Sequence, residues 1–312
     1  MKAVQHVELK LANLVICGVN KAGSTSLFSY LADHPEICPS KVKETQFFRP
    51  VLYNEPLPHI REYGKFFVQN AKGKYTLEAD PRYFYGKAAI ARSMKKHLPE
   101  DLKVIVLLRD PVRRFVSFYK FKYFNHRSGV RNMSFEKFLN HCFKEYEERK
   151  DEPFIRNDYL YVRALKEGIY IDFLRDWKEE FGNNIKIYFF DDLKDQPQYL
   201  MRDICQWLGI SGGCYAHYDF THENMSVPPK NMKVHMAANL LNEKFISFWL
   251  KQPSLKKKVR KYYYKLNTAN KINFEVSEKS LLRLNEFYWP ANQELKAYLQ
   301  TQGLNNLPNW LR

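Results

Sequence analysis

The 312-residue chain carries 50 Lys+Arg against 34 Asp+Glu, a net charge of +16, with 45% hydrophobic and 16% aromatic residues. That composition excludes a disordered or low-complexity polypeptide, and only 12 glycines exclude a fibrous repeat. No apolar run approaches the roughly 18 residues of a membrane span, and the charge suits an anionic ligand, nucleic acid or anionic membrane without choosing among them.

Lys2 and Lys10 precede the apolar stretch Leu11–Val19, which is short, interrupted by Asn13 and without a small-x-small cleavage site. It reads as a buried strand, Asn13–Gly18, and not as a secretion signal. The strand runs into Gly18-Val-Asn-Lys21-Ala22-Gly23-Ser24-Thr25-Ser26, then into Leu27, Phe28, Tyr30 and Leu31 of a helix ending near His34-Pro35. Such a turn gathers backbone N–H groups and the positive helix end at one place, which suits a phosphate. Three hydroxyls add donors and Lys21 adds a point charge. No Gly-Lys-Ser/Thr step follows the second glycine, so the loop departs from a Mg²⁺-nucleotide P-loop.

Tyr75–Ala79 is a second candidate strand, Lys103–Leu108 (KVIVLL) the clearest, and Ile185–Phe190 the fourth. Arg109 ends the third strand, where open α/β sheets bind ligands. Asp110 as N-cap and Pro111 at N1 start a helix whose Val112, Phe115, Val116, Tyr119 and Tyr123 share one face. Ser117 lies two turns along it, so Arg109 and Ser117 form a fork and a hydroxyl suited to a second phosphate, beside Arg113 and Arg114. Further helices are predicted over Ile169–Phe181, stopped by Gly182, and from a cap at Asp195 to near Gly209. The tail from about Asn239 reads as helical and charged.

Strands alternating with helices predict an α/β fold, a P-loop-like parallel sheet flanked by helices. With no Gly/Ser linker, residues 1–312 read as one domain. The five cysteines (17, 38, 142, 205, 214) are odd in number and never form a CxxC pair, as expected of reduced thiols in a cytoplasmic protein without a zinc site. Lys256–Lys265 (KKKVRKYYYK) is the densest basic patch. It reads as a solvated helix face, with contact to an anionic acceptor or membrane surface as the alternative. No nucleic-acid recognition module is present, so no nucleic-acid partner is expected.

The chain resembles the sulfotransferases that use 3′-phosphoadenosine-5′-phosphosulfate (PAPS), in their carbohydrate and bacterial branch. Lys21-Ala-Gly-Ser-Thr-Ser is similar to the family's phosphosulfate loop, with Ser24 in place of a Thr. Arg109-Asp-Pro-Val-Arg-Arg-Phe-Val-Ser117-Phe-Tyr is similar to its 3′-phosphate motif. Lys43-Glu44-Thr-Gln-Phe47-Phe48 resembles the segment that carries a glutamate base, with Gln46 in place of His. Glu78-Ala-Asp-Pro81-Arg-Tyr83 resembles a further motif, with Ala79 in place of a lysine that contacts glycan in some members. Asn224-Met-Ser226-Val-Pro-Pro229-Lys230 resembles the late loop that closes over the cofactor.

The resemblance implies the sulfotransferase fold, PAPS as donor and PAP as product. It implies a hydroxyl acceptor on a carbohydrate, glycosylated or lipid-like molecule. It assigns Lys21, Ala22, Gly23, Ser24, Thr25, Ser26, Arg109, Ser117 and Lys230 to cofactor binding. Glu44 is the expected general base, and Lys21 the group that stabilises the leaving phosphate, with no metal. Loop histidines (His34, His59, His126, His217, His222) are rival bases. A nucleotide-dependent kinase and a non-catalytic binder of anionic polymers stay open as other functions. The loops Pro50–His59 and Asn125–Met133 are expected to line the acceptor pocket.

Overall fold

The computed structural model describes residues 9–69, 72–124, 129–130, 133–152, 160–220 and 275–312, with scattered positions between 230 and 267. Among the described residues five strands form one parallel sheet: β1 (Leu14–Gly18), β2 (Ile37–Pro39), β3 (Tyr75–Ala79), β4 (Lys103–Leu108) and β5 (Ile185–Phe189), in the order β2-β3-β1-β4-β5. Every residue of β1, a continuous apolar run, is buried, as a strand covered on both faces requires, and so is every residue of β3 although it carries Thr76 and Glu78. Asn13 lies just outside β1 and helps set its register. Its Oδ1 accepts from Thr76 N at 2.7 Å and its Nδ2 donates to Lys74 O at 3.3 Å, beside the Leu14–Leu77 pairing.

Helices among the described residues include α1 (Ser24–Ala32), α2 (Ile60–Gly64), α3 (Lys87–His97), α4 (Pro111–Phe124), α5 (Phe135–Arg149), α6 (Leu160–Lys166), α7 (Ile171–Phe181), α8 (Phe190–Asp195), α9 (Pro197–Leu208) and a long C-terminal helix, Glu278–Thr301. The α4 start is as the sequence predicts: Asp110 Oδ1 accepts from Val112 N at 2.8 Å and from Arg113 N at 3.3 Å. α7 begins two residues later than expected and ends at Gly182, whose φ is 50°. Two details differ. Phe190 opens α8 and does not extend β5, and Asp195 closes α8 and does not cap α9. The start of α9 is set by Pro197, whose missing N–H costs nothing in a first turn.

Two apolar clusters hold these elements. The larger surrounds the sheet and includes Trp177, fully buried, whose Nε1 donates to Phe84 O at 2.8 Å. The smaller lies among α4, α5, α6 and the C-terminal helix, where Tyr288 OH donates to Leu165 O at 3.0 Å. No helix among the described residues is long and apolar enough to cross a membrane.

Candidate active site

The neighbouring strands β1 and β4 deliver the two expected phosphate motifs side by side. After β1 the chain passes through left-handed positions at Lys21 (φ 68°) and Gly23 (φ 90°) before α1 begins. At Gly23 a Cβ would lie 2.9 Å from Leu193 Cδ2 and from Phe190 Cδ2, so both the backbone angle and the space demand glycine. Among the described residues no side chain caps α1. First-turn amides have no intrahelical acceptor, so the helix start is a donor cluster for an anion. Ala22, Ser24 and Ser26 are buried, and Thr25 is half-buried.

Several contacts fix this loop. Val19 N donates to Leu107 O at 2.9 Å and Asn20 N to Tyr85 OH at 3.0 Å. Asn20 Nδ2 donates to Glu167 Oε2 at 2.9 Å, and Arg109 Nη1 donates to Lys21 O at 2.7 Å. Glu167, just past α6, is fully buried and pairs with Arg163 and with Arg114, the latter at 3.8 Å. Burial alone would raise its proton affinity, but the two guanidiniums and Asn20 outweigh it and keep the carboxyl below the usual range.

The Lys21 ammonium lies 4.5 Å from the Phe121 ring centroid. Burial first, then the charges of Arg109 and Lys43, bring its pKa down to about 8. Arg109 stacks on Phe190, 4.3 Å from the ring centroid, and Tyr170 OH donates to its carbonyl at 2.7 Å. Among the described residues its Nε is buried without a hydrogen-bond partner. A buried guanidinium with an uncommitted donor beside a donor-rich loop fits an incoming phosphate oxygen. Ser117 is half-buried on α4. The arginine pair separates: Arg113 is exposed, whereas Arg114 is fully buried on Glu167 and Ala164 O.

Glu44 sits on a left-handed backbone position (φ 65°) with its amide donating to Ala79 O at 2.9 Å. That bond brings the Lys43–Phe48 segment beside the end of β3. Its charge reaches Lys21 and favours the protonated ammonium, so the expected base and the expected phosphate lysine share one electrostatic site. Lys43 Nζ lies 2.8 Å from Glu44 Oε1, and Arg49 Nη2 lies 2.8 Å from Oε2. Burial would raise the Glu44 pKa, but these two cations more than offset it and hold the carboxyl below its ordinary value.

Arg49, beginning a 3₁₀ turn over Arg49–Tyr53, is a site residue that the motifs did not single out. Its Nε and Nη2 grip the fully buried Asp80 at 2.8 and 3.0 Å. Two positions upstream, Glu78 accepts from Thr45, Tyr63 and Tyr83 hydroxyls, and burial still lifts its pKa to about 7. Of the remaining expected positions, Lys230 is exposed and its amide donates to Asn267 O at 2.8 Å. Residues 224–229 of the late loop, His222, most of 125–133 and most of Lys256–Lys265 lie outside the described residues. Among the rival histidines, buried His34 bonds Ser211 O and Glu36 N, while His59 caps α2 through Arg61 N. Both have structural partners. Among the described residues no group of His, Cys, Asp and Glu is arranged to hold a metal.

A family described as "Sulfotransferase domain" matches residues 11–263. The chain is 33% identical over 110 residues to heparan sulfate glucosamine 3-O-sulfotransferase 3B1 of Mus musculus, covering 35% of this chain and 26% of that protein. It is 24% identical over 317 residues to bifunctional heparan sulfate N-deacetylase/N-sulfotransferase 4 of Mus musculus, covering 97% of this chain and 31% of that protein. It thus spans about a third or less of the length of these curated relatives. Among solved structures, a sulfotransferase from Alicyclobacillus acidocaldarius superposes with a TM-score of 0.63 at 20% identity, over 97% of this chain and 100% of that one, which shows a shared fold.

Proposed function

Since the chain belongs to the sulfotransferase family, we propose that it moves the sulfuryl group of PAPS onto a hydroxyl of a carbohydrate, glycosylated or lipid-like acceptor. The observation that carries this reading is the joining of the two phosphate motifs. Arg109 bonds the backbone of Lys21, so a donor-rich loop and a buried guanidinium with a spare Nε converge. Two phosphate-sized anionic groups on one ligand suit that pair better than one.

PAPS, when bound, supplies the group to be transferred. Amides of Gly23–Ser26, their hydroxyls and Lys21 would hold its 5′-phosphosulfate, and Arg109 with Ser117 its 3′-phosphate. The Lys21 ammonium offsets the negative charge that collects on the departing phosphate oxygen. Glu44, kept ionised by its two cations, accepts the proton of the acceptor hydroxyl at a carboxylate oxygen. The heparan sulfate relatives support a glycan acceptor. Five free cysteines support a cytoplasmic location.

The test is sulfuryl transfer from radiolabelled PAPS to a panel of glycan and lipid-like hydroxyl acceptors, with wild type and Glu44→Gln. We expect transfer by wild type and a fall in kcat of roughly 10²–10⁴ in the variant, with PAP affinity retained. Failure to bind PAP, together with Mg²⁺-dependent ATP binding, would return the loop to a kinase reading.

A further inference from the structure

Nη2 of Arg49 spends its two hydrogens on two different carboxylates: Glu44 Oε2 at 2.8 Å and Asp80 Oδ1 at 3.0 Å. Nε adds a second bond to Asp80, at Oδ2. Asp80 is fully buried and also accepts from Arg82 N at 3.0 Å, so it is the fixed end of the chain of contacts. Arg49 is nearly buried, at 11% exposure, whereas Glu44 is 39% exposed and is the open end. A guanidinium pinned in this two-pronged way has little freedom left, and it transmits that order to whatever its third bond holds.

We propose that Arg49 is a positioning residue for Glu44: Asp80 locks its guanidinium, the guanidinium fixes Glu44 Oε2, and the Asp80 charge tempers its pull. This rests on the reading of Glu44 as the general base. The charged groups facing Glu44 are Lys43 on its own segment, Arg49 on the following turn, Asp80 beyond β3 and Lys21 on the β1 loop. Among the described residues Lys43 has its side-chain hydrogen bond only with Glu44 itself, so the Asp80–Arg49 pair is the rigid reference for the carboxylate.

A purely structural role predicts that damaging either partner has the same kind of effect. Positioning through charge predicts opposite effects. Removing the Arg49 cation leaves Asp80 and Glu44 as neighbouring anions, so Glu44 gains proton affinity. Removing the Asp80 charge gives Glu44 an undivided cation, so it loses proton affinity.

The experiment measures the acidic limb of the kcat/KM pH profile for wild type, Arg49→Gln, Arg49→Lys and Asp80→Asn, alongside ¹³C NMR titration of the Glu44 carboxyl assigned with Glu44→Gln. The limb and the titration should move to higher pH in Arg49→Gln and to lower pH in Asp80→Asn. Arg49→Lys keeps a cation but cannot bridge both carboxylates, so its limb should stay near wild type while kcat falls roughly tenfold with PAP affinity unchanged. Limbs that do not move, or that move in one direction in both charge variants, overturn the proposal. Unchanged kcat in Arg49→Lys overturns it as well, and decides the matter if Asp80→Asn does not fold. A fully active Glu44→Gln removes the base itself, and is distinguished from the other failures because it leaves the NMR titrations of the Arg49 variants intact.

Discussion

Arg109 donates through Nη1 to the backbone carbonyl oxygen of Lys21 at 2.7 Å. The residues belong to different motifs, 88 positions apart, yet one hydrogen bond makes the end of β4 part of the wall of the β1 loop. Charge that enters at one motif is therefore felt at the other, and Arg109 is among the causes that lower the Lys21 pKa.

Arg109→Ala removes a guanidinium that both braces the loop and offers its unpaired Nε to a ligand. PAP affinity should drop by about 1.5–3 kcal/mol, the scale of a hydrogen bond to a charged group. Affinity for adenosine 5′-phosphate, which lacks the 3′ group, should fall less. Calorimetry on both ligands checks this, and equal losses for the two would remove Arg109 from the 3′-phosphate.

Lys21 titrates near pH 8 in the free protein. A phosphate beside it favours the ammonium, so its pKa must rise on binding and the complex must take up protons around pH 8. PAP affinity should weaken as pH climbs from 7 to 9.5. Calorimetry in buffers of different ionisation enthalpy should show that uptake in wild type and its disappearance in Lys21→Arg, since arginine stays charged throughout.

Gly23→Ala forces a methyl group against Leu193 and Phe190 at a left-handed backbone angle. Strain and overpacking together should cost roughly 2–4 kcal/mol. Urea denaturation should show the loss, and PAP binding should weaken with it because the same angle aims the first amides of α1.

Glu78 has a folded-state pKa of about 7 against an ordinary 4.5, so its neutral form is the one the fold prefers. Its contribution is complete below pH 4.5 and declines as pH rises through 7. Glu78→Gln cannot ionise. The stability difference between wild type and this variant should therefore shift against wild type by roughly 2–3 kcal/mol between pH 5 and pH 8. A difference that stays constant over that range would show Glu78 to be charged throughout.

β1, β4 and β5, the loop after β1 and the start of α4 were legible because their signals are local: runs rich in apolar residues, a Lys and two glycines at a turn, an Asp-Pro helix start. β2 was missed because three residues ending in Pro39 carry no periodicity and form an edge. Arg49 went unnoticed because its meaning depends on Asp80, 31 positions away on another element. Arg114 carries no such signal: at helical spacing it lies opposite the Val112, Phe115 and Tyr119 stripe, and its burial depends on Glu167, 53 positions away on another element.

The Asn20–Glu167 bond has a consequence for anyone who would transplant this chemistry. Glu167 follows a seven-residue helix that no motif marks, yet it grips the loop from behind and is itself locked by Arg114, which lies inside the second motif. Grafting Gly18–Ser26 and Arg109–Ser117 onto another parallel sheet would import the donors but leave their scaffold behind. The acquired loop would have the right letters and a wandering lysine, until a buried acid was built in to tether Asn20.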